Sequence, residues 1–317
     1  MTVPDWVREV EARLPGRTRR EEPLAPYTTY RIGGPAQLYV LPSRREDVQW
    51  LLRRCQAEQI PFLVLGAGSN LLVSDAGFRG VVVQLKALAA EIAMGGVEVR
   101  AGAAVELAGL VRRACEAGLA GLECLAGIPG TVGGAAVMNA GAFGVEFFDH
   151  LVDLEIVDLA GDIRSVAASQ VPHGYRHGFD PAQGIVLSVR LRLEKGERKR
   201  LRQVVEDVLR RRSEKQPLEY PSCGSVFKRP EGDYAGRLIE ACGLKGLQRG
   251  GARVSEKHAN FIVNTGGATA SDVLWLIREV RRRVFERFGV LLEPEVRLVG
   301  FEEPLEELLS LEKEVQA

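Results

Sequence analysis

The sequence lacks several features that mark large classes of proteins. Basic and acidic residues balance at 42 each, so the formal net charge is +0 and the basic excess of a nucleic-acid-binding surface is missing. The five cysteines lie far apart without a CxxC pair, which favours a reducing compartment over a disulfide framework. No apolar run approaches the roughly 20 residues of a membrane span, and the charged N-terminal stretch MTVPDWVREVEARL does not resemble a signal peptide. We therefore expect a cytoplasmic protein that binds neither nucleic acid nor membranes.

Short motifs for metals and for common nucleotide-binding folds are missing as well. The four histidines show no metal-ligand spacing, so no metal site is predicted. Neither GxGxxG nor GxxxxGKS/T occurs, which removes the Rossmann and Walker interpretations. The GxSxG elbow of hydrolases is absent too. Any nucleotide bound by this chain must be held in another way.

What remains is a mixture of strand and helix patterns along 317 residues, a length that suits two or three domains. Apolar or alternating runs predict strands at 62–65, 81–85, 97–102, 152–159, 185–193, 254–264 and 296–300. Capping boxes at Ser43 with Glu46 and at Thr269 with Asp272 predict the starts of two helices. The residues expected to end helices are Gly118, Pro217 and Gly289. The pattern predicts an α/β arrangement with a domain boundary near the charged helix before Pro217.

Two glycine-rich segments point to a ligand. GAGSN, residues 66–70, directly follows an apolar strand, where converging N–H groups can form an anion-binding nest. Taken alone, a glycine loop that ends a strand is more often a plain turn than a binding site. The second segment, GIPGTVGGAAVMNAGAFG at 127–144, is rich in glycine and alanine, and glycine serves where a ligand must approach the backbone closely. Together the two segments favour a cofactor of dinucleotide size.

Three polar clusters are weak signals when each is read alone. SCGSVFK, beginning at Ser222, is compatible with an ordinary loop. LEPEVRL, which contains Glu293 and Glu295, fits the wet face of an edge strand, and Arg176 in YRHGF fits a surface arginine. None of the three defines a function without further context.

The motifs gain meaning from their order. TTYRIGGPA, VLGAGSNLLVSD, GIPGTVGGAAVMNAGAFG, YRHGF, PSCGSVFKRP, AGRLIEACGLKG, VSEKHANFIVN and LEPEVRLVG follow one another between about residues 28 and 300. This series resembles the UDP-N-acetylenolpyruvoylglucosamine reductases, the flavoenzymes called MurB. The resemblance implies an α+β fold: a two-subdomain FAD-binding fold of the vanillyl-alcohol-oxidase type, and a smaller α/β substrate-binding domain. The short segment from Tyr220 to Ser225 indicates the second structural type of the family.

The same resemblance implies a domain order and a reaction. We expect FAD-binding subdomains at 1–86 and 87–200, a substrate-binding domain at 201–300 whose last strand packs back toward the flavin, and an acidic tail at 301–317 that is a solvated helix or disordered. The implied enzyme is a monomeric UDP-N-acetylmuramate dehydrogenase of peptidoglycan synthesis. It uses noncovalent FAD, with NADPH as co-substrate, to reduce an enolpyruvyl sugar nucleotide.

Site residues follow from the matched motifs. The implied catalytic residues are Ser225 as proton donor, Arg176 as the partner of the substrate carboxylate, and Glu295 as a hydrogen-bonding group. Cofactor contacts are implied at Arg31, Gly66, Ala67, Gly68, Ser69, Asn70, Pro129, Gly130, Thr131, Gly133, Gly134, Asn139 and Gly141. Substrate contacts are implied at Tyr175, Lys228, Arg229, Tyr234, His258 and Asn260, with Lys228 also a candidate to make Ser225 a better acid.

One departure from the family pattern and two alternative functions stay open. Gly178 stands where members of the family commonly have serine, two positions after the arginine. A different FAD-dependent oxidoreductase of the same cofactor fold, acting on an alcohol or sugar, would use similar glycine loops but leaves SCGSVFKRP and LEPEVRLVG unexplained. A catalytically silent nucleotide-binding protein would need neither a proton donor nor a paired arginine.

Overall fold

The structure is a computed structural model that describes residues 3–310, and the chain divides into two compact units. Unit 1 contains the chain up to Arg20 together with Leu38–Ala67 and Gly80–Arg212. Unit 2 contains Glu21–Gln37, Gly68–Arg79 and the chain from Ser213. Several sequence segments therefore contribute to each unit.

The described residues form helices and strands in mixed order. The helices are α1 (Asp5–Arg13), α2 (Arg45–Ala57), α3 (Leu107–Glu116), α4 (Val132–Met138), α5 (Arg198–Lys215), α6 (Ala235–Ala241), α7 (Ala270–Phe288) and α8 (Leu305–Leu308). The strands are β1 (Thr18–Pro23), β2 (Pro35–Val40), β3 (Phe62–Val64), β4 (Leu71–Val73), β5 (Phe78–Val83), β6 (Ile92–Gly95), β7 (Glu98–Gly102), β8 (Leu119–Ala120), β9 (Gly141–Ala142), β10 (Val145–Glu146), β11 (Leu151–Asp158), β12 (Ile163–Ala167), β13 (Gly184–Arg192), β14 (Glu194–Lys195), β15 (Gln248–Arg249), β16 (Ala252–Val254), β17 (Ile262–Asn264) and β18 (Arg297–Val299).

Unit 1 is built around an antiparallel sheet of five strands in the order β12-β11-β13-β7-β6. The central strand β13 is buried along most of its length because α4 packs against it. Buried faces of α2 and α3 belong to the same hydrophobic core. A further sheet, of which only β3 belongs wholly to unit 1, has the order β1-β2-β5-β3, with β3 and β5 parallel.

Unit 2 has its own core. The antiparallel sheet β15-β16-β17 packs against α7, and α6 packs against the same helix. Strands β4 and β18 form a parallel pair in which Leu71 lies opposite Arg297. The buried face of α7 includes Val273, Leu276 and Ile277, as the apolar period of the sequence predicts.

Most predicted helix ends are confirmed, and one predicted start is wrong. Thr269 and Asp272 form a reciprocal capping box on α7, and Gly289 ends that helix with φ +67°. Gly118 follows α3 with φ +76°, and Pro217 follows the end of α5. The Ser43–Glu46 capping box is wrong. The helix begins at Arg45 after Arg44, whose side chain makes no capping bond and instead pairs with Asp47 at 2.9 Å.

Two other predictions need correction. The predicted strand at 254–264 is interrupted, because the Ser255 hydroxyl accepts bonds from the N–H groups of Lys257 and His258 and turns the chain between β16 and β17. The tail from residue 301 is not simply solvated: Leu308 and Leu309 are buried in the unit 2 core, and the backbone oxygens of both accept bonds from arginines of α7. Residues 311–317 of the predicted acidic tail lie outside the described residues.

Candidate active site and cofactor loops

The two glycine-rich segments meet in unit 1. A Cβ placed on Gly66 would lie 2.7 Å from Thr131 Oγ1, and one placed on Gly133 would lie 2.9 Å from the Ala103 Cβ. Glycine at both positions is therefore required by packing within the protein itself. Thr131 also caps α4, since its hydroxyl accepts a bond from the Gly134 N–H at 3.3 Å.

Several backbone donors near this contact lack an acceptor. Within residues 3–310, the N–H groups of Ala67, Gly130 and Thr131 make no hydrogen bond. Gly134 is exposed, and a Cβ on it would meet only the Thr131 hydroxyl, at 3.5 Å. The protein gives no packing reason for glycine at 134. Unpaired donors beside an open backbone position fit a phosphate-bearing cofactor such as FAD.

Arg176 lies at a strained turn in unit 1. Gly174 and His177 exchange backbone hydrogen bonds at 2.8 and 3.0 Å, so Tyr175 and Arg176 are the central residues of a tight turn. Arg176 has φ +58°, a value that the third residue of a type II turn requires and that glycine usually supplies. Its guanidinium donates to the Gly141 oxygen at 3.1 Å and lies over the Tyr175 ring at 5.0 Å. Arginine therefore occupies a turn position that glycine would fill with less backbone strain.

Asn139 is a buried residue that hydrogen-bonds to three other residues of unit 1. It is fully buried with φ +43°, and its amide nitrogen donates to Glu146 at 2.7 Å and to the Gly174 oxygen at 3.0 Å. Its amide oxygen accepts from the Phe148 N–H at 3.0 Å. Both amide hydrogens are therefore committed to the protein. Asn139 ties the end of α4 to the turn that carries Arg176.

In unit 2, the segment that carries Ser225 pairs with the segment that carries Glu295. The Glu295 N–H donates to the Val226 oxygen at 2.7 Å, and the Lys228 N–H donates to the Glu293 oxygen at 2.9 Å. Ser225 is partly exposed, while the neighbouring Val226 is buried. Glu295 therefore lies opposite Val226, the residue that follows Ser225.

Asn260 fixes the position of the same segment. Its amide oxygen accepts from the Phe227 N–H at 3.0 Å, and its amide nitrogen donates to the Phe227 oxygen at 2.9 Å. Its own carbonyl accepts from the Val226 N–H at 2.8 Å. Asn260 is buried, so the structure gives this predicted substrate residue a positioning role beside Ser225.

Asn70 plays the corresponding part for Glu295. Its amide nitrogen donates to the Glu295 oxygen at 3.0 Å, and its carbonyl accepts from the Arg297 N–H at 3.0 Å. Two residues earlier, Gly68 has φ +60°, and a Cβ on it would lie 2.3 Å from the Tyr27 oxygen. Gly68 and the start of the TTYRIGG segment are thus neighbours in unit 2, where Arg31 is exposed with φ +54°.

The remaining predicted substrate residues of unit 2 range from exposed to partly buried. The Lys228 ammonium pairs with Glu293 at 2.5 Å, and the Arg229 guanidinium lies 4.1 Å from the centre of the Tyr234 ring. Tyr234 is 59% exposed, which leaves most of this cation–π pair open to a ligand. His258 is partly buried, and burial lowers its pKa.

Cys223 lies two residues from Ser225 and is no competing nucleophile. Burial raises the pKa of its thiol to about 12, so the sulfur carries its proton at neutral pH. Tyr30 is buried as well, and burial raises its pKa well above the usual value. Both groups are therefore neutral.

The predicted residues divide between the two units. Unit 1 holds Gly66, Ala67, Pro129, Gly130, Thr131, Gly133, Gly134, Asn139, Gly141, Tyr175 and Arg176; unit 2 holds Arg31, Gly68, Ser69, Asn70, Ser225, Lys228, Arg229, Tyr234, His258, Asn260 and Glu295. The positioning roles of the three asparagines were missed by sequence reasoning. No local sequence signal distinguishes such an amide from one that binds a ligand.

Comparisons with known proteins add independent information. A family model described as FAD binding domain matches residues 36–167, and one described as UDP-N-acetylenolpyruvoylglucosamine reductase, C-terminal domain, matches residues 216–299. UDP-N-acetylenolpyruvoylglucosamine reductase from Agathobacter rectalis is 43% identical over 309 residues, covering 93% of this chain and 98% of its own. The crystal structure of the Thermus caldophilus reductase matches with a TM-score of 0.74 at 38% identity, over 89% of this chain and 98% of its own. A variant of Phl p 4, a glucose oxidase, shares the fold alone, with a TM-score of 0.50 at 14% identity over 62% of this chain and 45% of its own.

Fold and loops together define a flavoprotein oxidoreductase with the FAD-binding fold of the vanillyl-alcohol-oxidase type. Within that class, the chain belongs to the family of UDP-N-acetylenolpyruvoylglucosamine reductases. The predicted family, fold class and FAD requirement are confirmed. Among residues 3–310, no helix combines the length and apolar character needed to cross a membrane.

Proposed function

We propose that this protein reduces the enolpyruvyl group of UDP-N-acetylglucosamine enolpyruvate to the lactyl ether of UDP-N-acetylmuramate, with NADPH as the reductant. The relatives named for this reaction match nearly the whole chain, which supports the assignment. The observation that carries it is the bond from the Glu295 N–H to the Val226 oxygen, which joins the segment that carries the proposed glutamate to the segment that carries the proposed proton donor. We further propose that the enzyme acts in the cytoplasm as a monomer, in peptidoglycan precursor synthesis.

FAD is proposed to bind noncovalently at the glycine segments. The free N–H groups of Ala67, Gly130 and Thr131 would donate to its phosphate oxygens, and the open backbone at Gly134 would permit close approach. Bound FAD, once reduced by NADPH, would supply hydride to the terminal vinyl carbon of the substrate. The protein contributes orientation and charge stabilisation around that chemistry.

Ser225 is proposed to protonate the carbon next to the substrate carboxylate. A serine hydroxyl is a weak acid, so its exact placement by Asn260 through Phe227 matters for the proton transfer. Lys228 is already paired with Glu293, so any help it gives to Ser225 competes with that pair. An ordinary loop would not explain why the SCGSVFK backbone is hydrogen-bonded to Asn260 and also to Glu295.

Arg176 and Glu295 are proposed to stabilise the charge that develops on the substrate carboxylate. The planar guanidinium of Arg176 can bind two carboxylate oxygens, and the Glu295 carboxyl can donate a hydrogen bond when protonated. Surface contacts with the sugar nucleotide are proposed for Tyr175, Arg229, Tyr234 and His258. Arginine and tyrosine side chains of this kind suit the phosphates and the uracil ring of the substrate.

A coupled assay tests the proposal. Purified protein with FAD is mixed with NADPH, and nicotinamide absorbance is followed with and without the unsaturated sugar nucleotide. Consumption of NADPH should depend on that substrate and yield an equal amount of UDP-N-acetylmuramate. Consumption that is the same without the sugar nucleotide, or with an alcohol or sugar in its place, contradicts the proposal.

A further inference from the structure

Arg212, in the last turn of α5, lies against the start of the second glycine segment. A Cβ placed on Gly127 would lie 3.0 Å from Arg212 Cδ and 3.1 Å from its Nε. Gly127 has φ +76°. It precedes Gly130 by three residues, so the Cα atoms of these two glycines lie within about 11 Å of each other. Arg212 therefore lies beside the start of the segment that offers unpaired N–H groups at Gly130 and Thr131.

The charge of Arg212 has no partner in the protein. Across residues 3–310 its guanidinium makes neither a hydrogen bond nor an ion pair, and the side chain is only partly exposed. Burial lowers its pKa, which reflects a charge moved out of water without compensation. Arg281 provides the contrast: burial lowers its pKa too, but the carbonyl oxygens of Leu292 and Leu309 accept its N–H groups.

Packing alone does not account for an arginine here. The aliphatic stem covers Gly127 next to Leu209, and an uncharged side chain of similar length would cover it equally well. Holding an unpaired cation in a partly dehydrated place costs free energy. The charge is best explained by a ligand that supplies the missing anion.

We propose that Arg212 is an anion-binding residue that pairs with the pyrophosphate of FAD. Its planar fork matches two phosphate oxygens, while the N–H groups of Gly130 and Thr131 donate to the same ligand. The proposal rests on FAD as the cofactor and deepens it, because it names the cation that balances the pyrophosphate charge. Net neutrality of the whole chain is compatible with such a local site.

The test compares FAD binding by apoprotein of the wild type, Arg212→Met, Arg212→Lys and the control Arg211→Met, whose target is the exposed neighbour. Flavin fluorescence gives the dissociation constant of FAD at several salt concentrations, and riboflavin, which has no phosphate, is titrated in parallel. Arg212→Met should weaken FAD binding by about 10- to 100-fold and reduce its salt dependence. Arg212→Lys should fall between, riboflavin binding should not change, and Arg211→Met should resemble the wild type.

Melting of the apoproteins separates ligand binding from a structural role. Removing an unpaired charge predicts that apo Arg212→Met melts at the same temperature as the wild type or higher. Equal FAD affinity in Arg212→Met and wild type overturns the proposal. Equal losses of riboflavin and FAD binding together with lower apo stability also overturn it. Failure of the wild type and Arg211→Met to bind FAD would instead contradict the cofactor assignment itself.

Discussion

Arg176 has a left-handed backbone conformation that glycine would adopt with less strain. The turn Gly174–His177 requires positive φ at Arg176, and a non-glycine residue in that conformation costs about 1 kcal/mol. Arg176→Gly should therefore leave the melting temperature unchanged or raise it, while turnover of the sugar nucleotide falls by about 10²-fold or more. Thermal melts and steady-state kinetics measure the two effects.

Arg176→Lys is the matched variant for the same turn. Lysine keeps the positive charge but cannot make the bidentate contact with the substrate carboxylate. Flavin content should therefore stay normal, and turnover should fall less than in Arg176→Gly. Wild-type turnover in Arg176→Gly would remove Arg176 from the active site.

At the scale of a loop, the glycines separate into those needed for packing and those left open. Gly134→Leu should fold as apoprotein, because a Cβ at 134 meets only Thr131 Oγ1 at 3.5 Å. It should purify without flavin, because the leucine side chain would block the close approach of the cofactor to the backbone. Gly133→Leu should instead lower apo stability, because its Cβ would lie 2.9 Å from the Ala103 Cβ. The ratio of flavin to protein absorbance and the apo melting temperature distinguish the two. Full flavin content in Gly134→Leu would refute the loop assignment.

The link between the Arg176 turn and α4 depends on Gly178. A Cβ at 178 would lie 2.1 Å from the Ala136 oxygen and 2.9 Å from Phe148 Cε2, so the serine common in the family does not fit this backbone. Gly178→Ser should destabilise the protein by about 1–3 kcal/mol, measured by denaturant unfolding. Gly174→Ser is the control, since nothing lies within 4 Å of a Cβ there. Equal stability of the two variants would show that the turn has room for serine.

For the whole molecule, the sequence predicted the strands and helices that local patterns determine. It did not predict the side-chain contacts between residues distant in sequence. Apolar periods located β11, β13 and α7, and ordered motifs identified the family. The start of α2 was misplaced because Arg44, not Ser43, takes the N-cap position. The amides of Asn70 and Asn260 bind backbone at positions 33 to 225 residues away in sequence, so no local pattern could assign them a positioning role.

The pH dependence of stability is also a property of the folded molecule. Burial lowers the pKa of His258 below its unfolded value of about 6.5, so the folded state resists protonation. Above the unfolded pKa, His258 is neutral in both states and does not lower the free energy of unfolding. As the pH falls below the unfolded pKa toward the folded pKa, the unfolded state binds more protons than the folded state, so the free energy of unfolding decreases. The melting temperature should therefore decrease between about pH 7 and pH 5, and His258→Gln should flatten that decrease. His177→Gln, at an exposed position, is the control and should retain the wild-type slope; an unchanged slope in His258→Gln would contradict the account.

The most direct test of the central claim follows flavin absorbance by stopped flow in Ser225→Ala. Reduction by NADPH and reoxidation by the unsaturated sugar nucleotide are recorded separately, with Ser222→Ala as the neighbouring control and Ser225→Cys as the variant that keeps a transferable proton. We predict normal reduction by NADPH and reoxidation slowed by about 10²–10⁴-fold or more in Ser225→Ala, partial recovery in Ser225→Cys, and little effect in Ser222→Ala. Slowing confined to the NADPH step, or a Ser222→Ala enzyme slower than Ser225→Ala, would contradict Ser225 as the proton donor.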